Sequence, residues 1–179
     1  MAELWDIYSA ERIPLHRTAE RGKPLNDGEY HVIVQIITVR PSDGRILITK
    51  RHPNKRFGNM WEFTGGSVQA GETSRRGAVR ELAEETSILV GEHDLTYLRT
   101  HVGPHQFYDE YLVMTEIGRE QLCLQKEEVC DARFVTPEEL CAARAGHLLM
   151  ESVFQSYLLC KKTIDRYLAE RKGNRTDGI

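Results

Sequence analysis

Glu72, Glu81, Glu84 and Glu85 lie close together in the stretch Gly65–Ile88, GGSVQAGETSRRGAVRELAEETSI. Residues 73–86 carry a helical pattern, with Ala78, Val79 and Leu82 as the apolar side and Thr73 placed to cap the start. Positions i, i+3 and i+4 of a helix are neighbours, so Glu81, Glu84 and Glu85 share one face. Like charges at that spacing cost a few tenths of a kcal/mol per pair, and Arg80, four residues before Glu84, relieves part of the repulsion. Three converging carboxylates form a hard oxygen donor set. Such a set suits Mg²⁺, or Mn²⁺ in its place, with waters and substrate phosphates as the remaining ligands. An acid-rich helix taken alone is more often a solvated face, so the residues around it must decide.

Around the acids the chain reads Gly66, five residues, Glu72, seven residues, then Arg80-Glu81-Leu82, one residue, Glu84-Glu85, one residue, Ser87-Ile88. At average residue usage the six fixed Gly, Glu and Arg positions coincide by chance roughly once in 10⁷ placements. The pattern resembles the Nudix box, G-x5-E-x7-R-E-U-x-E-E-x-G-U, where U is a bulky aliphatic residue. One letter departs: the glycine after the paired glutamates is Ser87 here. A glycine there would end the helix in a left-handed conformation, for which a serine costs about 1 kcal/mol. No ligand is lost by the change.

The resemblance implies an α/β fold, the Nudix-type α/β/α sandwich with a mixed sheet, a small N-terminal extension and a long C-terminal helix. It implies hydrolysis of a nucleoside diphosphate linked to another group, with Mg²⁺ or Mn²⁺ held against the diphosphate. Glu81, Glu84 and Glu85 would be the metal ligands, Arg80 would orient them, and Glu72 would brace the box loop to the helix. Gly65 and Gly66 would let the backbone approach the substrate. Cleaving a diphosphate requires neutralising its bridging and leaving oxygens while placing a water in line, with one glutamate accepting the water's proton. Glu81 is a candidate base. Glu127 and Glu128 in LQKEEV are alternative candidates for a base or further ligand, or simply a charged loop.

The N-terminal half, WDIYSAERIPLHRTAERGKPLNDGEYH through ITKRHPNKRFGNMWEFTGG, is similar to the Nudix branch related to isopentenyl diphosphate isomerase. That isomerase is expected to carry a cysteine before a Gly-His pair, where this chain has Gly65 and Ser67. His31 matches one of its histidines, and Glu110 in YDEYLV falls near its second catalytic acid. Without the proton-transferring thiol, hydrolysis is the favoured chemistry. A non-catalytic nucleotide-binding module and the isomerase itself are the competing readings. Lys50, Arg51, Lys55 and Arg56 would flank the box and could contact phosphates, Arg51 and Arg56 in particular. Trp61, Phe63, Phe107 and Tyr108 could stack on a base, but filling the core is the favoured reading, and a histidine such as His31 is more often a structural strand residue than a ligand.

These groups need a scaffold. HVIVQIITVR (31–40) is continuous and β-branched, the mark of a strand buried on both faces. PSDG turns into RILITKR (45–51), a second strand. MWEFTGG predicts a short strand into the box, ILV and LTYLRTHV two more, followed by QFYDEYLVMTE (106–116) and EVCDARFV (128–135). TPEEL (136–140) opens a helix, with Thr136 as cap, Pro137 at the first position and Glu139 closing a capping box. Apolar residues then recur at helical spacing from Leu148 to Arg171. Residues 1–29 suggest a small hairpin on the domain. The expected organisation is one domain over 1–172 and a frayed tail at 173–179.

Composition narrows the partners. The 179 residues carry 24 basic and 27 acidic side chains, a net −3 that gives no electrostatic case for nucleic acid or an anionic membrane. No apolar run approaches the roughly 18 residues of a membrane span, and the first residues lack a signal-peptide pattern. Cys123, Cys130, Cys141 and Cys160 are too scattered for a disulfide framework or zinc site, which fits reduced thiols in the cytoplasm. The expected partner is a small-molecule diphosphate, and the long C-terminal helix could support a homodimer.

Overall fold

The computed structural model describes residues 2–176, with side chains to residue 170. Two strands come first, β1 (Leu4–Tyr8) and β2 (Pro14–Glu20), paired as an antiparallel hairpin. The main sheet takes β3 (His31–Arg40), β4 (Arg45–Arg51), β5 (Trp61–Glu62), β6 (Thr64–Ser67), β7 (Thr96–Val102), β8 (Gln106–Met114) and β9 (Val129–Val135). Its order is β5-β4-β3-β8-β7, with β6 also on β3 and β9 also on β4. Among the named strands of the described residues, β3 and β8 are the pair that runs parallel, so the sheet is mixed. Helix α1 (Ser74–Thr86) covers one face, and α2 (Pro137–Ala145) and α3 (Glu151–Thr176) the other.

Strand periodicity explains the layers. Ile46, Ile48 and Leu112 point to α2 and α3, where they meet Leu140, Val153, Phe154, Tyr157, Cys160 and Ile164. Their neighbours Leu47, Tyr111 and Val113 point to α1, where they meet Ala78 and Leu82. The buried apolar positions of α3, at 153, 154, 157, 160 and 164, keep helical spacing. Each large apolar side chain buried there contributes about 1.5–3 kcal/mol relative to exposure. Thr136 and Glu139 form the expected capping box on α2, with Pro137 at its start.

Three differences from the sequence pattern have local causes. MWEFTGG is not one strand: it pairs with β4 through Thr49 and Lys50, then changes partner at Phe63 and pairs with β3 from Ile33 to Ile36. This crossing delivers the two glycines to the middle of the sheet. ILV is not a strand. Ile88 plugs the core beneath α1 while Leu89 is 81% exposed, and neither joins a ladder. The last helix continues to Thr176, and residues 177–179 of the expected tail lie outside the described residues. No helix among the described residues is long and apolar enough to cross a membrane.

Candidate active site

Helix α1 begins where Thr73 accepts a hydrogen bond from Arg76 N–H at 3.2 Å, and ends at Ser87, whose φ of 60° is left-handed. Between these caps the helix presents its acids to the glycine turn of β6. Arg80 connects helix and loop. Its Nε and Nη2 donate to Glu72 at 2.9 and 3.0 Å, Nη2 donates to the Ser67 carbonyl at 2.9 Å, and Nη1 donates to Glu81 at 2.8 Å and Glu84 at 3.0 Å. Burial works against the Arg80 charge, but Glu72 and Glu81 more than offset it and hold the guanidinium above its ordinary range. Burial likewise opposes the Glu72 charge, yet Arg80 and the Gln69 N–H keep that carboxyl below the usual range.

The acids surround a cavity of about 200 Å³. Glu84 stands at its mouth with a side chain 48% exposed, Glu81 is 13% exposed, and Glu85 is buried. Desolvation pushes the Glu81 carboxyl up against the pull of Arg80. Glu85 is raised well above the ordinary carboxylate range, first by burial and then by the charges of Glu62 and Glu81. Its Oε2 is buried without a hydrogen-bond partner. Gly66 makes the approach possible, because a Cβ there would fall 2.4 Å from the Glu81 carboxylate. Gly65 is equally constrained: its Cβ would lie 2.2 Å from the Val34 carbonyl oxygen.

An orphaned buried carboxylate oxygen beside two more carboxylates is a donor set that fits a hard divalent cation. The set is not closed in advance: no group of three or more such side chains among the described residues stands in metal-ligating geometry. Arg80 holds two of the carboxylates, and Lys55 pairs with Glu128 across the cavity.

A second cavity of about 360 Å³ adjoins the first, sharing Gly65, Gly66, Arg21 and Lys55 with it. Arg51 lines it, but its Nη1 is engaged by Glu62 at 2.7 Å and its Nε by the Arg56 carbonyl at 2.9 Å. Arg56 itself lines neither cavity and sits 4.8 Å over the Phe57 ring. Of the two loop glutamates, Glu128 reaches the acidic cavity, whereas Glu127 is exposed and outside it. Glu110 is fully buried and committed to Arg99, at 2.7 and 2.8 Å, and to Ser156 Oγ at 2.7 Å, which ties β8 to α3. His31 stacks on Trp5 at 3.9 Å in the interior, outside the acidic cavity, and desolvation lowers its pKa to about 4. Lys50 lies 6.0 Å over Trp61 and lines neither cavity. Trp61, Phe63 and Phe107 are core residues, while Tyr108 lines the second cavity.

Several cavity residues escaped the sequence pattern. Glu62 was visible as a lone acid between Trp61 and Phe63, and Gln35 as a lone amide in the β-branched run of β3. Arg21 and Glu3 gave no such signal, because the hairpin carries them to the acidic cavity by tertiary docking alone.

The NUDIX domain family model matches residues 29–157. An uncharacterized Nudix hydrolase of Listeria monocytogenes is 38% identical over 149 residues, covering 80% of this chain and 86% of that protein. The CTP pyrophosphohydrolase of Escherichia coli is 36% identical over 70 residues, 38% of this chain and 52% of that protein. A solved Deinococcus radiodurans structure superposes with a TM-score of 0.69 at 21% identity, over 92% of this chain and 98% of that one. The NUDIX domain of Shewanella oneidensis NrtR, complexed with ADP ribose, gives 0.58 at 17% identity, over 74% and 87%. At those identities the two structures speak for the fold.

Proposed function

The chain belongs to the Nudix family of hydrolases, as a pyrophosphohydrolase acting on nucleoside diphosphate derivatives, and from that premise we propose that it cleaves its diphosphate with Mg²⁺ or Mn²⁺ held by Glu81, Glu84 and Glu85. The single observation that carries the metal assignment is Glu85, a buried carboxylate with an unpartnered Oε2. Glu81, Glu84 and Glu85 would hold the cation, which would supply positive charge for the diphosphate oxygens and for activating the attacking water. Glu81 also serves as the base, since it lines the cavity and Arg80 fixes its direction. Glu128 is the reserve ligand, paired with Lys55 until a cation competes for it. Lys55, Arg21 and Arg51 line the adjoining cavity, each paired with a carboxylate (Glu128, Glu3 and Glu62) that a substrate phosphate would displace, and the glycine backbone at 65 and 66 leaves room for that phosphate.

Gly65 favours this chemistry over isomerisation. The chain lacks a thiol there, and Val34 leaves no space for one. We read the isomerase-like N-terminal half as ancestry. The four cysteines are unpaired, which fits a reducing, cytoplasmic setting. The test is Mg²⁺-dependent turnover of a panel of nucleoside diphosphate derivatives by wild type, Glu84→Gln and Glu85→Gln. Each variant is expected to lose on the order of 100-fold or more in kcat. Undiminished turnover in both would remove the assignment.

A further inference from the structure

We propose, resting on the metal-dependent hydrolase reading, that the open end of the N-terminal hairpin completes the active site. Glu3 is a further carboxylate for the cation, held in reserve by Arg21, and the ion pair between them makes cation and diphosphate each strengthen the binding of the other. Both residues lie outside the segment 29–157 that the family model matches.

The fold fixes this end of the hairpin at the cavity. Beyond the outermost ladder pair, Leu4 with Glu20, Arg21 N–H donates to the Glu3 carbonyl at 2.9 Å, and Arg21 Nη1 reaches Glu3 Oε2 at 2.6 Å. One residue along, the Leu4 carbonyl accepts from Ala70 N–H at 2.8 Å, and Asp6 accepts from Gly71 N–H at 2.8 Å. The box loop therefore carries Glu3 and Arg21 to the lining of the acidic cavity, beside Gln69 and Glu81. The Glu3 side chain is only 23% exposed there.

Charge gives the pair its task. Five carboxylates line this cavity, Glu3 and Glu128 with the three acids of α1, against Arg21, Lys55 and Arg80. With every acid ionised the excess is two negative charges, the charge of one divalent cation. Arg80 is committed to the box through Glu72, Glu81, Glu84 and the Ser67 carbonyl. The pairs Arg21–Glu3 and Lys55–Glu128 differ from it, since each joins a base that a phosphate attracts to an acid that a cation attracts. The hydrogen bond to Glu3 is what most favours the Arg21 charge, and the charges of Glu128 and Glu81 add to it. A diphosphate that takes Arg21 releases Glu3 toward the cation, and a cation that takes Glu3 releases Arg21 toward the diphosphate. Coupling of this kind is reciprocal by thermodynamic necessity.

Isothermal titration with one ligand at a time separates this coupling from the direct attraction of metal for phosphate. Mn²⁺ alone is titrated into wild type, Arg21→Gln, Glu3→Gln, the double variant and Glu85→Gln, and methylenediphosphonate in EDTA into the first four. Arg21→Gln should tighten the Mn²⁺ Kd about threefold, the scale of a partly exposed ion pair. In the Glu3→Gln background the same change should have no effect. Glu3→Gln should likewise tighten methylenediphosphonate about threefold, and do nothing in the Arg21→Gln background. Equal changes in both backgrounds would mean that the two charges act only through their field, and would overturn the proposal. The backbone bond from Arg21 to the Glu3 carbonyl survives every substitution. Mn²⁺ binding that weakens in Arg21→Gln would mean that the side chain is needed to place Glu3, and would overturn the proposal too. Mn²⁺ binding lost in Glu85→Gln beside an additive cycle would sink this inference and spare the metal assignment. Absence of saturable Mn²⁺ binding by wild type would sink the metal assignment itself.

Discussion

Arg80 and Glu72, eight residues apart, form a two-point contact in which Nε and Nη2 donate at 2.9 and 3.0 Å. Since Nη2 also reaches the Ser67 carbonyl and Nη1 reaches Glu81 and Glu84, one guanidinium spans loop, strand end and helix. The acids of α1 owe their convergence to it as much as to helical spacing. Lysine, with a single ammonium, cannot reproduce that fork.

Arg80→Lys is therefore expected to lower kcat by on the order of tenfold or more and to destabilise the fold by roughly 1–3 kcal/mol, the usual cost of losing charged hydrogen bonds. Glu72→Gln should cost similar stability with a smaller loss of kcat, because it touches the loop and not the cavity. Urea unfolding beside steady-state kinetics separates the two. A lysine variant with unaltered kcat would show that Arg80 does not orient the acids.

Glu85 should display a conflict between stability and function. Its buried, partly orphaned carboxylate is a liability when no cation is bound. Glu85→Gln removes that charge, so in EDTA the variant should be more stable than wild type by roughly 1–3 kcal/mol while its hydrolysis is lost. Adding Mg²⁺ should raise the thermal midpoint of wild type and leave that of the variant still. A variant less stable than wild type in EDTA would contradict the picture of a buried carboxylate with an unpartnered oxygen.

Ser87 occupies the left-handed helix end that the box pattern reserves for glycine. Its hydroxyl recovers part of the cost by donating to the Cys123 carbonyl at 3.1 Å. Ser87→Gly is expected to stabilise the protein by up to about 1 kcal/mol, offset by that hydrogen bond, with kcat within twofold of wild type. Thermal unfolding and one turnover assay check both halves.

How much of this was legible in sequence depends on the range of the interaction. The helix of box acids, its Thr73 cap, the left-handed Ser87 and the Thr136–Glu139 box are local and follow from spacing. The mixed sheet followed from the family likeness, since the parallel pairing of β3 with β8 joins segments about 75 residues apart and leaves no local trace. Glu110 looked like a site residue because it falls near the second catalytic acid of the isomerase branch, and Arg56 because its type suits phosphate contact. What sequence could not show is which neighbours claim them first: Arg99 and Ser156 for one, the Phe57 ring for the other. Conversely, Arg21 reaches the cavity only because Ala70 N–H donates to the Leu4 carbonyl and Gly71 N–H to Asp6, docking the hairpin on the box loop.

His31 predicts an acid-sensitive fold. Desolvation lowers its pKa to about 4, against about 6.5 in an unfolded chain. A depressed histidine binds fewer protons folded than unfolded, so its contribution is intact above about pH 6.5 and is lost as pH falls from there toward 4. Between pH 7 and pH 5 the loss amounts to about 2 kcal/mol. His31→Phe keeps a ring against Trp5 and should flatten that part of the pH dependence. The readout is the difference between variant and wild-type urea unfolding at pH 7 and pH 5, which removes the common carboxylate contribution. An equal loss in both proteins would show that His31 is protonated as easily folded as unfolded.

The N-terminal hairpin lies outside the residues the family model matches, and an ion pair joins it to the sheet alongside the Tyr8–Tyr30 backbone pair and the Trp5–His31 stack. Arg12, at a φ of 62° in the hairpin turn, donates to Asp109 through Nη1 at 2.7 Å and Nη2 at 2.5 Å. Asp109 is buried, and Arg12, Ser74 and Thr100 together outweigh its desolvation and hold its carboxyl below the ordinary range. Arg12→Ala would leave that carboxylate buried with hydroxyl partners alone, at a cost of roughly 2–3 kcal/mol, discounted because Arg12 is partly exposed. The hairpin should then loosen, and with it the bracing of residues 69–71 and the placement of Arg21 over the cavity. We expect faster proteolysis between residues 8 and 14, and a KM raised several-fold with kcat less affected, since the acids stay on α1. The double variant Arg12→Ala, Asp109→Asn removes the unpaired charge and should recover a large part of the stability but little of the KM. Recovery of both together would mean that the hairpin docks without the pair and that Arg21 does not depend on it.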